Sequence, residues 1–220
     1  MLLVQIIMMK RKLNVLIACE ESQVECVAFR ELGCNAFSCD IQTCAGHHPE
    51  WHILGDVTPL LQGTTQFITC DGKNHRVSHW DLIIAHPPCT HLCKISTSVH
   101  KHGKEWIGDY YEKMLKAREF FYTCLDAQAN FVAVENPLPH AEARLPQPSF
   151  YTCPSQFGVK YTKKTLWWCK NLPPVLPTIF YPNPKSFVRS SRGKYRSRTF
   201  PQVAKVMAHT WVNHILTVLR

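Results

Sequence analysis

Two groups of residues in this 220-residue chain have types and spacing suited to chemistry, and each follows an apolar run. Pro87-Pro88-Cys89 follows Trp80 to Ala85, and Glu135-Asn136-Pro137 follows Phe131 to Val134. Neither run alternates, so each reads as a strand buried on both faces, as in a parallel sheet. Two prolines forbid continuation of the strand and stiffen the turn behind it. A thiol on such a turn, at the carboxyl end of a parallel strand, lies where ligands bind in open α/β sheets. Cys89 is therefore a candidate nucleophile, with a buried structural thiol as the competing reading. Asp40 is a third polar group at a strand end, after Ala36 to Cys39, about twenty positions beyond the loop that follows the first strand; that spacing suits a ribose-binding carboxylate.

The elements that must position these groups follow from the apolar pattern. Leu13 to Ala18 reads as a buried strand and Glu20 to Leu32 as a helix stopped by Gly33. Gly55-Asp56-Val57 follows another short strand, and Gln62 to His79 is polar and turn-rich. Ile95 to Gly108 reads as a mobile loop. Glu105 to Gln128 has helical spacing through Met114, Ala117, Phe121 and Leu125. Pro137 to Pro154 reads as irregular, Thr165 to Cys169 as a strand and Tyr181 to Arg198 as a basic loop. Pro201 opens a last helix with Val203, Val206, Met207, Ile215 and Leu219 near one face. Strands alternating with helices indicate an α/β fold, a mostly parallel doubly wound sheet.

Apolar residues make up 45% of the chain, enough for one α/β domain with a sizeable core. Eleven cysteines form no C-x-x-C pair, and no secretory signal is visible, so reduced cytosolic thiols fit better than a disulfide framework. Met1 to Met9 is apolar but too short to span a membrane, and reads as a tail or an extension of the first strand. Cys44, His47, His48 and His52 cluster, as do Cys89, His91 and Cys93, but neither group has common zinc spacing, and no metal is expected. The net charge of +9 is unevenly placed: after Glu142 there are thirteen Lys or Arg and no acidic residue. Such a block suits a polyanionic partner, nucleic acid or nucleotide phosphate.

The order of these groups resembles the cytosine-5 DNA methyltransferases, in particular the short forms of bacteriophages and prophages. The strings that carry the resemblance run from about Asn14 to Trp211: Ala18-Cys19-Glu20-Glu21-Ser22, Cys39-Asp40, Gly55-Asp56-Val57, Trp80 to Cys89, Glu135-Asn136-Pro137, Gln156-Phe157-Gly158 with Tyr161 to Thr165, and Arg198-Thr199-Phe200-Pro201. It implies a Rossmann-like methyltransferase fold in a single domain over 1–220, with a cofactor and catalytic core at 13–142 and a C-terminal helix at 200–220 packed on it. The implied reaction moves a methyl group from S-adenosylmethionine to C5 of cytosine in DNA. By resemblance Cys89 adds to C6 as a thiolate, so its pKa must be depressed by nearby N–H groups or basic side chains. Glu135 bonds N3 and the exocyclic amine.

Further roles implied by the resemblance are these. Pro87, Pro88, Asn136, Pro137, Lys163 and Lys164 position the substrate. Ala18, Cys19, Glu20, Glu21, Ser22, Asp40, Ile41, Asp56, Val57 and His86 line the cofactor, Asp40 on the ribose and Asp56 on the adenine amine. Lys185, Arg189, Arg192, Lys194, Arg196 and Arg198 hold phosphates. Cys93 to Gly108 covers the pocket into which a duplex base must be rotated. Four features depart from the family's pattern: Pro137 stands where the third signature more often has valine, Lys163 and Lys164 stand for its arginine-rich strand motif, and the other two concern the cofactor loop and the recognition domain. The loop at Cys19 to Gln23 has no glycine, and only the short basic segment 171–199 stands where a large target-recognition domain is usual. The substrate is thus duplex or single-stranded DNA, or a free nucleotide, or a protein partner supplies sequence specificity; a catalytically inactive DNA-binding relative is the remaining alternative. An amino-group methyltransferase fits poorly, because His86 and Cys89 occupy the positions where it needs an acid or amide and an aromatic. The implied location is the cytoplasm of a bacterial host, from a phage or prophage gene.

Overall fold

The computed structural model describes residues 11–95, 100–103, 105–187 and 197–220. The run from Met1 to Met9 lies outside them. The chain begins with β1 (Asn14–Ala18), α1 (Val24–Glu31), β2 (Asn35–Asp40) and β3 (His52–Leu54). After a short helix α2 (Thr58–Leu61) and the hairpin β4 (Gln66–Ile68) and β5 (Asn74–Arg76) come β6 (Leu82–Ala85), β7 (Lys101–His102) and β8 (Glu105–Trp106). The long helix α3 (Tyr110–Leu125) leads to β9 (Phe131–Asn136), β10 (Phe150–Thr152), β11 (Tyr161–Thr162), β12 (Thr165–Lys170), β13 (Lys185–Ser186) and α4 (Pro201–Val218).

Seven strands form one sheet in the order β10-β12-β9-β6-β1-β2-β3. Numbered along the chain within this sheet, the order is 3-2-1-4-5-7-6. The pairs among β3, β2, β1, β6 and β9 are all parallel, and β12 runs antiparallel to both its neighbours. This is the α/β, mostly parallel, doubly wound, Rossmann-like sheet that the sequence implies. The switch from outward to return winding falls between β1 and β6, and in such sheets the crevice outside that point receives ligands.

The sheet is buried on both faces, which is why its strands read as unbroken apolar runs. Leu82 and Ile84 of β6 pack with Val15 and Ile17 against Phe29 of α1 and with Met207 and Trp211 of α4. Ile83 and Ala85 turn the other way, joining Leu16, Val132 and Trp168 against Met114 and Phe121 of α3. Trp167, Trp211 and Phe121 are among the largest wholly buried side chains; truncating any of them to alanine costs about 3–5 kcal/mol.

Several elements differ from the sequence expectation, each for a local reason. Helix α1 starts at Val24, not Glu20, because Cys19 and Gln23 both take left-handed backbone at φ 59. Helix α3 starts at Tyr110, not Glu105, because Glu105-Trp106 pairs with Lys101-His102 and Gly108 turns at φ 59. The polar stretch 62–79 contains the β4–β5 hairpin, which Phe67 anchors by packing on Phe37 and Trp80. The irregular stretch before Pro154 contains the edge strand β10. Among the described residues no helix is long and apolar enough to cross a membrane.

Candidate active site

Ala85 lies opposite Val134 in the β6–β9 register, so His86 and Glu135 leave neighbouring strands side by side. The His86 N–H donates to Ala18 O at 3.0 Å, extending the ladder one residue past the strand. Alternation along β6 and β9 then aims both side chains at the face covered by α1 and α4. Buried Glu25, in the first turn of α1, meets them there. His86 Nε2 is 3.0 Å from Glu25 Oε2, and His86 Nδ1 is 3.4 Å from Glu135 Oε2. Burial opposes charge on this imidazole, but the two carboxylates outweigh it and hold its pKa well above the usual histidine range. Burial likewise opposes charge on Glu135, yet the bond from His86 and the nearby Lys163 ammonium lower its pKa. The pair is an imidazolium beside a carboxylate.

Pro87 is buried and Pro88 exposed, and Cys89 emerges half-buried behind them. The Cys89 carbonyl accepts from the N–H groups of Leu92 and Cys93, both at 3.0 Å, so the backbone makes a helical turn from Cys89. That turn brings Cys93 beside Cys89, and their thiols hydrogen-bond. The bond to Cys93, burial and the charge of Glu135 all raise the Cys89 pKa, and Lys163 only partly offsets them. The expectation of a depressed pKa is corrected here: without substrate Cys89 is a thiol. The charge of Glu135 acts on Cys89, and Lys163 acts on both.

The glycine-free loop after β1 achieves its turns through Cys19 and Gln23. The Gln23 amide accepts from His48 N at 3.0 Å and donates to His48 O at 2.9 Å, tying the loop to the His-rich segment. The Glu20 carboxylate accepts from Glu25 N at 2.7 Å, Cys26 N at 3.2 Å and Ser22 Oγ at 3.3 Å, closing the amino end of α1. Burial, then the charge of Glu25, pushes its pKa up to about 7. Glu21 receives Arg198 Nε and Nη2, each at 3.2 Å. Ala18 is buried at the end of β1.

Asp40 and Asp56 stand at the carboxyl ends of β2 and beyond β3. Asp40 Oδ1 accepts from Gln42 N at 2.8 Å, and Asp56 Oδ1 from Thr58 N at 2.9 Å and Thr58 Oγ1 at 2.8 Å. Both carboxylates help raise the pKa of Cys19, after burial and Cys124, so the three groups share one neighbourhood. Ile41 is 79% exposed next to the buried Asp40, and Val57 is buried. An apolar side chain open to solvent beside a carboxylate fits the adenosine half of S-adenosylmethionine. The amino-acid half fits less well, because Glu20 and Glu21 are both engaged within the protein.

Asn136 is wholly buried; its Nδ2 donates to Pro137 O at 2.7 Å, while Oδ1 has no hydrogen-bond partner among the described residues. Lys163 Nζ donates to Ser197 O and Arg198 O, both at 3.3 Å. Lys164 Nζ lies 4.5 Å over the Tyr151 ring. Lys185 is exposed on β13, and Arg198 is half-buried on Glu21. Arg189, Arg192, Lys194 and Arg196 lie outside the described residues, as do residues 96–99 and 104 of the expected covering loop. The described part of that loop is held down by stacking of His100 and Trp106 on Tyr110, at 4.4 and 5.2 Å, and by Tyr110 Oη donating to Thr90 O at 3.1 Å.

Sequence reasoning passed over Glu25, and named Cys93 and Thr199 without giving either a part in this cluster. Thr199 Oγ1 donates to Glu25 Oε1 at 2.7 Å, so the segment before α4 closes the same cluster. A small pocket above Glu135 is lined by Lys163, Thr165, Trp167, Thr199 and Phe200. An acid in the first helical turn and cysteines four apart after the prolines were the available signals.

No family model matches the chain, and no curated protein matches it. Similar solved structures include a protein encoded within a prophage of E. coli and provisionally assigned as a DNA modification methyltransferase, at 14% identity and a TM-score of 0.45. Another is a triple mutant of DNMT2 from Spodoptera frugiperda, at 15% identity and a TM-score of 0.36. The alignments cover 78% and 80% of this chain but only 52% and 56% of those two, so the chain spans about half the length of either.

Proposed function

We propose that this protein transfers a methyl group from S-adenosylmethionine to C5 of cytosine in DNA. The observation that carries the reading is that the adjacent ends of β6 and β9 lead into a Pro-Pro-Cys turn and a Glu-Asn carboxylate, with Glu135 close enough for its charge to act on the Cys89 thiol. Cytosine C5 is too weak a nucleophile to be alkylated unaided. Sulfur adding at C6 makes it an enamine carbon. Cys89 is the sulfur donor, and the proton it sheds reaches ring N3 by way of the ionised Glu135, which also accepts from the exocyclic amine. The bound cofactor supplies the methyl electrophile, with Asp40, Ile41, Asp56 and Val57 on its adenosine and Ala18, Cys19 and Ser22 along the turn. Water then takes the C5 proton as the C6–S bond breaks, the N3 proton returns through Glu135 to the sulfur to restore the thiol, and S-adenosylhomocysteine is the second product.

Lys185, Arg189, Arg192, Lys194, Arg196 and Arg198 hold phosphates, and where the substrate is duplex DNA a protein partner supplies sequence selectivity. Methyl transfer from labelled S-adenosylmethionine tests the reading against duplex DNA, single-stranded DNA and free deoxycytidine nucleotides. Label on polymeric DNA that disappears with Cys89→Ala supports it. Label on nucleotides alone moves the substrate to monomers, and absence of label with every substrate contradicts it.

A further inference from the structure

Among the described residues, His86 is the ionisable group joined by hydrogen bonds to both α1 and the Glu135 strand end. Its two ring nitrogens face two different carboxylates, Glu25 at 3.0 Å and Glu135 at 3.4 Å. A neutral imidazole has one N–H and one bare nitrogen, so it would set a lone pair against one of these carboxylates. Only the imidazolium donates on both sides. Its ring is buried, with 11% of the side chain exposed, and the edge of Trp167 closes another side at a centroid distance of 6.1 Å. The far carboxylate is fixed in turn: Glu25 Oε1 accepts from Thr199 Oγ1 at 2.7 Å, and its backbone N–H is held by Glu20 at 2.7 Å. A chain of bonds thus runs from the two segments flanking the site, α1 and the lead-in to α4, through His86 to one oxygen of Glu135.

We propose that His86 is the positioning residue for Glu135: clamped between Glu25 and Glu135, it holds the Glu135 carboxylate ionised, with one oxygen fixed and the other turned to the substrate pocket. This rests on the methyltransferase reading above and departs from a cofactor-contacting role for His86. A carboxylate free to rotate or to take a proton from water would lose the geometry and the charge needed to accept the Cys89 proton and pass it on. The charged groups facing His86 are Glu25 and Glu20 from α1 and the loop before it, and Glu135 from β9, with Lys163 acting on Glu135 from beside β12.

Two measurements test this. The first is nitrogen-15 NMR of histidine-labelled protein, with the His86 signals identified by their loss in His86→Gln. The expected result is a doubly protonated His86 ring at about pH 8, with its titration moved to lower pH in Glu25→Gln. A His86 ring with one bare nitrogen at that pH overturns the clamp, whether or not the protein transfers methyl groups. The second is single-turnover methyl transfer at saturating DNA. His86→Gln and Glu25→Gln are expected to slow it by about 10²-fold while DNA and cofactor affinities stay within about threefold. The alkaline limb of the rate profile is expected to move to lower pH in Glu25→Gln. Single-turnover rates within about threefold of wild type in both variants overturn the positioning role. Absence of transfer by the wild type would instead sink the proposed function, with the NMR result still deciding the clamp. Glu25→Gln keeps the hydrogen-bonding shape of residue 25, so the test survives if His86→Gln does not fold.

Discussion

Arg198 grips Glu21 with a two-pronged hydrogen bond, Nε and Nη2 each 3.2 Å from a carboxylate oxygen, across 177 residues of chain. The bond ties the segment before α4 to the loop after β1, and the neighbouring Thr199–Glu25 bond repeats the tie. An arginine placed by resemblance on DNA phosphate thus also closes the fold. Arg198→Lys keeps the charge and loses the fork. We expect it to lower stability by about 1–3 kcal/mol in chemical denaturation, and a double-mutant cycle with Glu21→Gln to give a favourable coupling energy. Additive effects in that cycle would show that the contact does not hold the segment.

The raised pKa of Cys89 predicts slow alkylation near neutral pH, read site by site by mass spectrometry. Removing the groups that raise it should speed the reaction: Cys93→Ala most, Glu135→Gln next. Lys163→Ala should slow it further, since the Lys163 ammonium is the group that favours the thiolate. The opposite ordering of Glu135→Gln and Lys163→Ala would contradict the electrostatics described for the site.

Glu20 gives a stability signature with a definite sign. Its carboxyl is raised in the folded protein to about 7 from an ordinary 4.5, by burial and then by the charge of Glu25. A group with a raised folded pKa stabilises fully below its unfolded pKa, and that contribution is lost as pH rises through the folded value. The wild type should therefore lose stability relative to Glu20→Gln between about pH 4.5 and pH 7. Denaturation midpoints across that window test it, and a gap between the two proteins that does not change with pH would refute it.

Gly46 packs so closely on the loop after β1 that a Cβ would lie 2.5 Å from Gln23 Cβ and 2.8 Å from Ser22 O. Gln23 cannot retreat, because its left-handed backbone and its bonds to His48 fix it. Gly46→Ala should cost about 1–3 kcal/mol by overpacking. It should also weaken binding of S-adenosylmethionine, measurable by calorimetry, because the loop it pushes on is the proposed cofactor turn. An unchanged affinity would separate that loop from the cofactor.

The sheet was legible because its strands are buried on both faces: Leu82 to Ala85 and Phe131 to Val134 serve two cores at once and so carry no polar positions. The hairpin from Gln66 to Arg76 was not, because Phe67 is its one buried apolar side chain, Ile68 faces solvent and most of the rest is polar. The missing glycines after β1 were read as a departure, and the backbone resolves it by placing Cys19 and Gln23 in the left-handed region, which no composition signal announces. Cys89 and Glu135 could be named from their strand ends. Glu25 could not, since an acid in a first helical turn is ordinary until His86 is seen against it. The same holds for Arg198, whose partner lies at the far end of the sequence.

The central claim is that Cys89 attacks cytosine C6, and a duplex carrying 5-fluorocytosine tests it most directly. Fluorine at C5 cannot leave as a proton does, so an enzyme working by this route is trapped on the DNA after methyl transfer. With S-adenosylmethionine present, the account predicts a denaturation-resistant protein–DNA complex whose cross-linked peptide contains Cys89 and which Cys89→Ala does not form. A complex joined through Cys93 or another cysteine, or methyl transfer to cytosine by Cys89→Ala, would contradict it.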